Sequence, residues 1–197
     1  AFLVDRNTPG ITVQPDIKRM GIRGASNSEV VYTDVRVPAA DLLGGEGKGF
    51  KIAMKALDGG RIGIAAQSVG LAQGALDEAI AYCKERKQFG KPISAFQNTQ
   101  FRFAELQARI DAARLLTWRA ATAKDNGEAY NVYAAEAKLV ASDVANDVCR
   151  AAVQFMGGYG YCREYGVERK LRDVKFTEIY EGTSEVQRMV ISGSLLK

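Results

Sequence analysis

The chain has 197 residues, 47% of them hydrophobic and 25% charged, and a formal net charge of +4. This is ordinary globular composition, with enough chain for one sizeable core. Its Lys and Arg are scattered among acids with no basic run, which argues against nucleic-acid binding. There is no histidine, so Ser-His-Asp and Cys-His catalysis and His-ligated metal sites are excluded within the chain. Acid–base work falls to Glu, Asp, Lys or Tyr, or to a bound organic cofactor. No apolar stretch approaches the length of a membrane span, and no signal peptide is visible.

Residues 1–45 are punctuated and β-like. The chain opens on Ala1-Phe2-Leu3-Val4, an apolar run that reads as a strand and whose abrupt start suggests a processed chain or a fragment. The turn signal Asn7-Thr8-Pro9-Gly10 follows, then a second strand at Ile11-Thr12-Val13. Residues 20–28 form a turn-rich link. Residues 29–37, rich in β-branched side chains, read as a third strand. Three strands without a covering helix need packing partners. The cluster Gly44-Gly45-Glu46-Gly47-Lys48-Gly49 lacks Walker spacing and reads as a strand-to-helix connector rather than a phosphate loop.

From Phe50 on the period is helical. Ile64, Ser68, Leu71, Ala75, Leu76, Ile80 and Cys83 follow 3–4 spacing. So do Phe103, Leu106, Ile110, Ala113, Thr117 and Ala120. Val140, Val144, Val148, Ala152 and Phe155 form a third stripe, stopped by Gly157-Gly158. The stripes predict core, and their small alanines predict closely approaching helices. With a final helix from about Ser184, the pattern predicts a mainly α protein built on an antiparallel helical bundle. Cys83, Cys149 and Cys162 form no C-x-x-C pair and read as small buried hydrophobes in a reducing compartment.

The most informative segment is Ile179-Tyr180-Glu181-Gly182-Thr183-Ser184-Glu185-Val186-Gln187-Arg188. Ser184 with Gln187 is a capping-box pattern. Glu181 would then project from a loop beside the free N–H groups of a helix start. A carboxylate among oriented donors suits proton abstraction next to a carbonyl. The plainer alternative is that Glu181 complements the helix dipole.

Five ordered segments carry a family resemblance. They are Met20-Gly21-Ile22-Arg23, Leu57-Asp58-Gly59-Gly60-Arg61, residues 85–92 (Glu-Arg-Lys-Gln-Phe-Gly-Lys-Pro), residues 154–160 (Gln-Phe-Met-Gly-Gly-Tyr-Gly), and Arg172-Asp173 running to Tyr180-Glu181-Gly182-Thr183. In this order and spacing the chain resembles the acyl-CoA dehydrogenase family over essentially its whole length, and within it the short-chain, butyryl-CoA branch. The resemblance implies the C-terminal part of a middle β-domain at 1–45 and the C-terminal helical bundle domain at 46–197. It also implies that the family's N-terminal helical domain and the rest of its β-domain lie outside this sequence, so that this chain alone holds a base but an incomplete site.

The implied activity is FAD-dependent α,β-dehydrogenation of a short-chain acyl-CoA to the trans-2-enoyl-CoA. Glu181 matches the α-proton-abstracting base, and the β-hydrogen leaves as hydride to flavin N5. Asp58, Gly59, Gly60 and Arg61 match a substrate-contacting stretch, as does Gly182. In the isovaleryl-type branch the base comes instead from the position of Gly60, so that branch is disfavoured. Arg86 matches an FAD pyrophosphate contact across a subunit interface. Gln97 and Gln154, Phe155, Met156, Gly157 and Gly158 match further FAD contacts from the neighbouring subunit. Thr183, Ser184 and Glu185 match FAD contacts from the subunit bearing the base, with Glu185 standing where the family often has Gln. Read without the resemblance, Arg61 is a surface i, i+4 partner and residues 154–158 are a helix cap. The implied partners are electron-transferring flavoprotein and further copies of the chain, a tetramer in the family. The implied location is the bacterial cytoplasm, or the mitochondrial matrix in a eukaryote. A non-catalytic assembly module and an acyl-CoA oxidase-like flavoenzyme are the competing expectations.

Overall fold

A computed structural model describes all 197 residues. In chain order it contains β1 (Ile11–Val13), β2 (Val30–Tyr32), α1 (Gly49–Glu85), β3 (Lys87–Gln88), β4 (Lys91–Pro92), α2 (Gln97–Asp125), α3 (Asn131–Met156), α4 (Val167–Val174) and α5 (Ser184–Leu195), joined in places by short 3₁₀ turns. The chain divides into two compact units, Ala1–Leu57 and Asp58–Lys197.

In the first unit β1 and β2 pair antiparallel, with Ile11 opposite Tyr32 and Val13 opposite Val30. The expected strand at residues 1–4 is absent as such; only an isolated bridge joins Phe2 to Leu42. The flanking bonds, Leu3 N–H to Asp41 O and Leu43 N–H to Ala1 O, prolong no ladder. The third expected strand shrinks to three residues. Asp34 takes a left-handed φ of 49°, which ends extended pairing there.

The second unit holds the helical core. The periodic stripes are the buried faces: Ser68, Ala75, Leu76 and Cys83 on α1; Leu106, Ile110, Ala113, Thr117 and Ala120 on α2; Val144, Val148 and Ala152 on α3. More than half of the buried apolar residues are alanine. Alanine adds little beyond the helix cylinder, so such a face permits axes at the short end of the usual range of about 8–10 Å. The connection between α2 and α3 is short, which makes them antiparallel neighbours. α3 stops at Met156, with Gly157 in a positive-φ conformation as its cap. The core is mainly helical and bundled, as the periodicity predicts.

Two features were not read from the sequence. Between α1 and α2, β3 and β4 form a minimal hairpin whose tip residues Phe89 and Gly90 both have positive φ, 52° and 78°. That is the geometry of a type I′ turn. Cys162, expected to be buried with the other cysteines, is exposed, because the 3₁₀ turns after α3 lie at the surface. Cys83 and Cys149 are buried, and burial pushes their thiols up to about 11 and about 12.

Candidate functional site

Apart from Thr99 near the start of α2, the buried polar side chains fall into two groups. Ser68, Thr117, Ser142 and Thr177 each donate a hydroxyl hydrogen to a carbonyl three or four residues back on their own turn. They are self-contained. Arg61, Lys138 and Gln187 are longer and gather around the loop that carries Glu181.

Glu181 and Gly182 both adopt left-handed conformations, φ 55° and 87°. For a non-glycine residue this conformation is uncommon and must be held by its surroundings. The turn directs the Glu181 carboxylate onto α1 at Gly60. A methyl group on Gly60 would fall 2.8 Å from the carboxyl carbon of Glu181 and closer still to Oε2. Only a residue without Cβ leaves that space open. Oε2 of Glu181 is buried and has no hydrogen-bond partner. The backbone N–H of Glu181 is likewise taken by no acceptor in the chain.

Beside Gly60, Arg61 pairs with Asp58 at 2.7 Å. The pair is i, i+3 rather than the expected i, i+4, and Arg61 is only 5% exposed, so it is no surface partner. Its Nε is buried without a partner. Gly59 sits near Lys124, whose Nζ would lie 3.3 Å from an added Cβ. Tyr180, stacked on Phe176, donates its hydroxyl hydrogen to Gln67 on α1. Burial raises its pKa above the ordinary value.

The helix start after Glu181 is one residue earlier than the expected cap. Thr183 is the N-cap of α5, its Oγ1 accepting from the N–H of Val186 at 3.4 Å. Both residues are good caps, so sequence alone does not choose between them. Gln187 makes no reciprocal capping bond. It is wholly buried and donates from Nε2 to Glu181 O and Gly182 O, at 3.2 and 2.8 Å. Lys138, also wholly buried, donates from Nζ to the same Gly182 carbonyl at 2.8 Å. Lys138 was not singled out from the sequence. Its signal was its position: with Ala134, Ala141 and Ala145 it lies on the apolar face of α3, a place where a lysine is out of character.

The residues expected to contact a cofactor occupy separate places. Arg86, Gln154, Phe155, Met156, Gly157 and Gly158 line one cavity of about 460 Å³, together with Tyr82 and Tyr159. The Arg86 guanidinium lies 5.7 Å from the Tyr159 ring centroid, a cation–π contact, and no carboxylate pairs with it. Added Cβ atoms at Gly157 and Gly158 would meet nothing within 4 Å, so backbone is bare at the cavity wall. Phe155 packs on Phe103 with centroids 4.4 Å apart, and Met156 belongs to the core. Thr183, Ser184 and Glu185 line a second cavity of about 250 Å³ that shares no residue with the first. Hydrogen bonds from its own backbone N–H and from Thr183 hold the Glu185 carboxyl below the usual range. Gln97, the exposed first residue of α2, lines neither.

An uncommitted guanidinium beside bare glycine backbone fits the phosphate portion of a dinucleotide. The half-buried N-terminal turn of α5 lines the second cavity, where the helix dipole favours an anionic second part. A carboxylate with a buried, unpartnered oxygen fits a proton acceptor. The donor set therefore fits FAD, with its parts held at two separate cavities. No helix is long and apolar enough to cross a membrane, and no cluster of ligating side chains fits a metal ion.

The chain is similar to known proteins over its whole length. Residues 47–196 match the family model described as acyl-CoA dehydrogenase, C-terminal domain. The short-chain specific acyl-CoA dehydrogenase of Megasphaera elsdenii is 53% identical over all 197 residues, which is 51% of that protein. The caffeyl-CoA reductase-Etf complex subunit CarC of Acetobacterium woodii is 50% identical over 100% of this chain and 52% of its own length. The structure of butyryl-CoA dehydrogenase from Megasphaera elsdenii superimposes with a TM-score of 0.98 at 52% identity, covering 100% of this chain and 51% of that one. The chain thus spans about half the length of the curated relatives it matches. With three-quarters of its length inside the family model and its whole length aligned to these relatives, the chain belongs to the acyl-CoA dehydrogenase family.

Proposed function

We propose that this chain forms the base-bearing part of an FAD-dependent dehydrogenase that converts short-chain acyl-CoA thioesters to trans-2-enoyl-CoA. The observation that carries the reading is the Glu181 carboxylate, whose Oε2 is buried and unpartnered against the bare backbone of Gly60. FAD, when bound, would supply a hydride acceptor for the β-hydrogen and its electron pair. Glu181 takes the α-proton, and the electrons of that C–H bond form the new Cα=Cβ bond. An α-C–H beside a thioester is a weak acid, so the charge developing on the carbonyl oxygen needs a donor. The free N–H of Glu181 supplies one, worth about 3 kcal/mol in such a site.

Arg86, Gln97 and residues 154–158 hold FAD for a neighbouring copy of the chain, and Thr183, Ser184 and Glu185 hold it on the chain that bears the base. Asp58, Gly59, Gly60, Arg61 and Gly182 border the substrate. Gln97 apart, this division follows two cavities without a common residue and calls for a homo-oligomer. Residues 1–45 end a β-domain and 46–197 form the bundle domain. Gly60, at the alternative base position, speaks against an isovaleryl-type enzyme. Electron-transferring flavoprotein is the proposed acceptor, supported by the relative that is named as part of an Etf complex. That relative's name also favours a second direction, enoyl-CoA reduction, in which protonated Glu181 returns the α-proton.

The test is Glu181→Gln in the flavin-loaded enzyme. Turnover is expected to fall by about 10²–10⁴-fold or more, with flavin content and acyl-CoA binding retained. Near-normal flavin bleaching by substrate in the variant overturns the assignment.

A further inference from the structure

We propose that Lys138 and Gln187 are positioning residues for Glu181: together they grip the Gly182 carbonyl, fix the left-handed turn and so hold the carboxylate over Gly60. The inference rests on the reading of Glu181 as the base.

A wholly buried lysine needs a reason. Lys138 lies on α3 within an alanine-lined face, and its ammonium forms no ion pair within 4 Å of a carboxylate. Its one hydrogen bond goes to a neutral acceptor, the Gly182 carbonyl at 2.8 Å. Gln187 reaches the same oxygen at 2.8 Å from α5, and Glu181 O at 3.2 Å. Two successive carbonyls thus receive three part-buried contacts from two buried donor side chains on two helices. Both carbonyls belong to the residues with left-handed φ. Because both contacts of Gln187 Nε2 are to carbonyls, the orientation of the amide is fixed by its partners.

Held this way, the turn cannot relax to the extended or right-handed backbone that a glutamate prefers. Relaxation would strip these carbonyls of their donors, leave the buried Lys138 and Gln187 donors unpaired and carry the carboxylate away from Gly60. Ordinary packing does not require these residues. An apolar side chain would fill the Lys138 site without charge desolvation. The charged groups whose fields reach the ammonium are Glu178, Arg61, Glu181 and Glu185, so the clamp adds a cation to the surroundings of the base as well as a donor on its backbone.

The experiment uses the flavin-loaded, active enzyme with Lys138→Met, Gln187→Met and Glu181→Gln. The rate of flavin reduction at saturating acyl-CoA is followed and normalised to bound flavin. In both methionine variants the rate is expected to fall about tenfold or more, since small misplacement of a reacting group is costly, while KM stays within about threefold. A wild-type rate in Lys138→Met, with Glu181→Gln inactive, overturns the clamp and leaves the base in place. Full activity in Glu181→Gln overturns the base itself. If Lys138→Met does not fold, Gln187→Met decides alone: a wild-type rate in it overturns the clamp, and a tenfold loss at unchanged KM supports it.

Discussion

Two turns in this molecule share a backbone and differ in almost everything else. Phe89–Gly90 and Glu181–Gly182 each place a non-glycine and then a glycine at positive φ, 52° and 78° in one, 55° and 87° in the other. The first is a hairpin tip at the surface, where Phe89 is 92% exposed. The register of its own two short strands is enough to hold it. The second is partly buried and has no strands. Its conformation is imposed from outside, by Lys138 and Gln187 on its carbonyls. A turn that must only present a side chain can be local. A turn that must aim a carboxylate at one atom of another helix is tied to the core.

The sharpest way to break this comparison is to add one methyl to each turn. Gly182→Ala strains a left-handed residue and puts Cβ 2.9 Å from Gln187 Nε2 and 3.2 Å from Val186 Cγ1. Gly90→Ala bears strain alone, since nothing lies within 4 Å. Denaturant midpoints should report a loss of about 3 kcal/mol for the first against about 1 kcal/mol for the second. Equal losses would show that the clamp does not confine the turn.

The clamp also has a pH signature. Burial is the main cause that lowers Lys138 from 10.5 to about 8, with Glu178 opposing it. Between those values the unfolded chain keeps a proton that the folded chain has released. Stability therefore rises with pH across that window, and the burial cost is present in full below it. Measured as wild type minus Lys138→Met, so that other titrations cancel, unfolding free energy should rise by about 3 kcal/mol in total. A difference that is flat from pH 7 to 10.5 rejects a buried charged lysine.

At the hairpin, Arg86→Ala should weaken FAD retention by about 1.5–3 kcal/mol, the value of a hydrogen bond to a charged group. Titration of the apoprotein with FAD checks it, and flavin reduction by substrate, once loaded, should be little changed. The two turns would then divide the labour, one for holding the cofactor and one for the reaction. Unaltered FAD affinity removes Arg86 from that account.

Finally, Gly60→Ala places a methyl where the carboxylate lies. Alanine gains about 0.5–1 kcal/mol over glycine in a helix interior, so stability should hold or rise while turnover falls about tenfold. Gly63, three residues on with nothing within 4 Å, is the control: Gly63→Ala should gain stability and keep turnover. Undiminished activity in Gly60→Ala would mean the carboxylate has room to spare.

The sequence makes the helical half of this account plain. Three apolar stripes at 3–4 spacing name most of the buried faces of α1, α2 and α3, and Gly157 stops α3 where a glycine stop is expected. Glu181 is conspicuous because it precedes a capping signal. The run at residues 1–4 misleads because apolarity marks a strand only when a partner edge is available. The cap shifts from Ser184 to Thr183 because adjacent hydroxyls compete for one role. Gln187 looks like a capping residue and is instead buried across the turn it follows. Lys138 is hidden by chemistry. A lysine on a helix reads as a solvated face, and only the alanines at 134, 141 and 145 betray that this one points inward. That Gly60 and Glu181 meet follows from helix packing across 120 residues of sequence, which no local pattern encodes.

The alanine interior constrains how such a sequence drifts. Alanine loses almost no rotamer freedom on burial, so the helices are held closely at small entropic cost. A methyl-lined seam leaves no slack for a larger group. At each of these positions a bulkier side chain forces the helices apart, whereas glycine weakens the helix itself. Variation is thus pinched from both sides at more than a dozen buried sites. Descendants of this chain will diverge most freely on its outer faces, while the spacing between α1 and the loop it meets stays nearly constant.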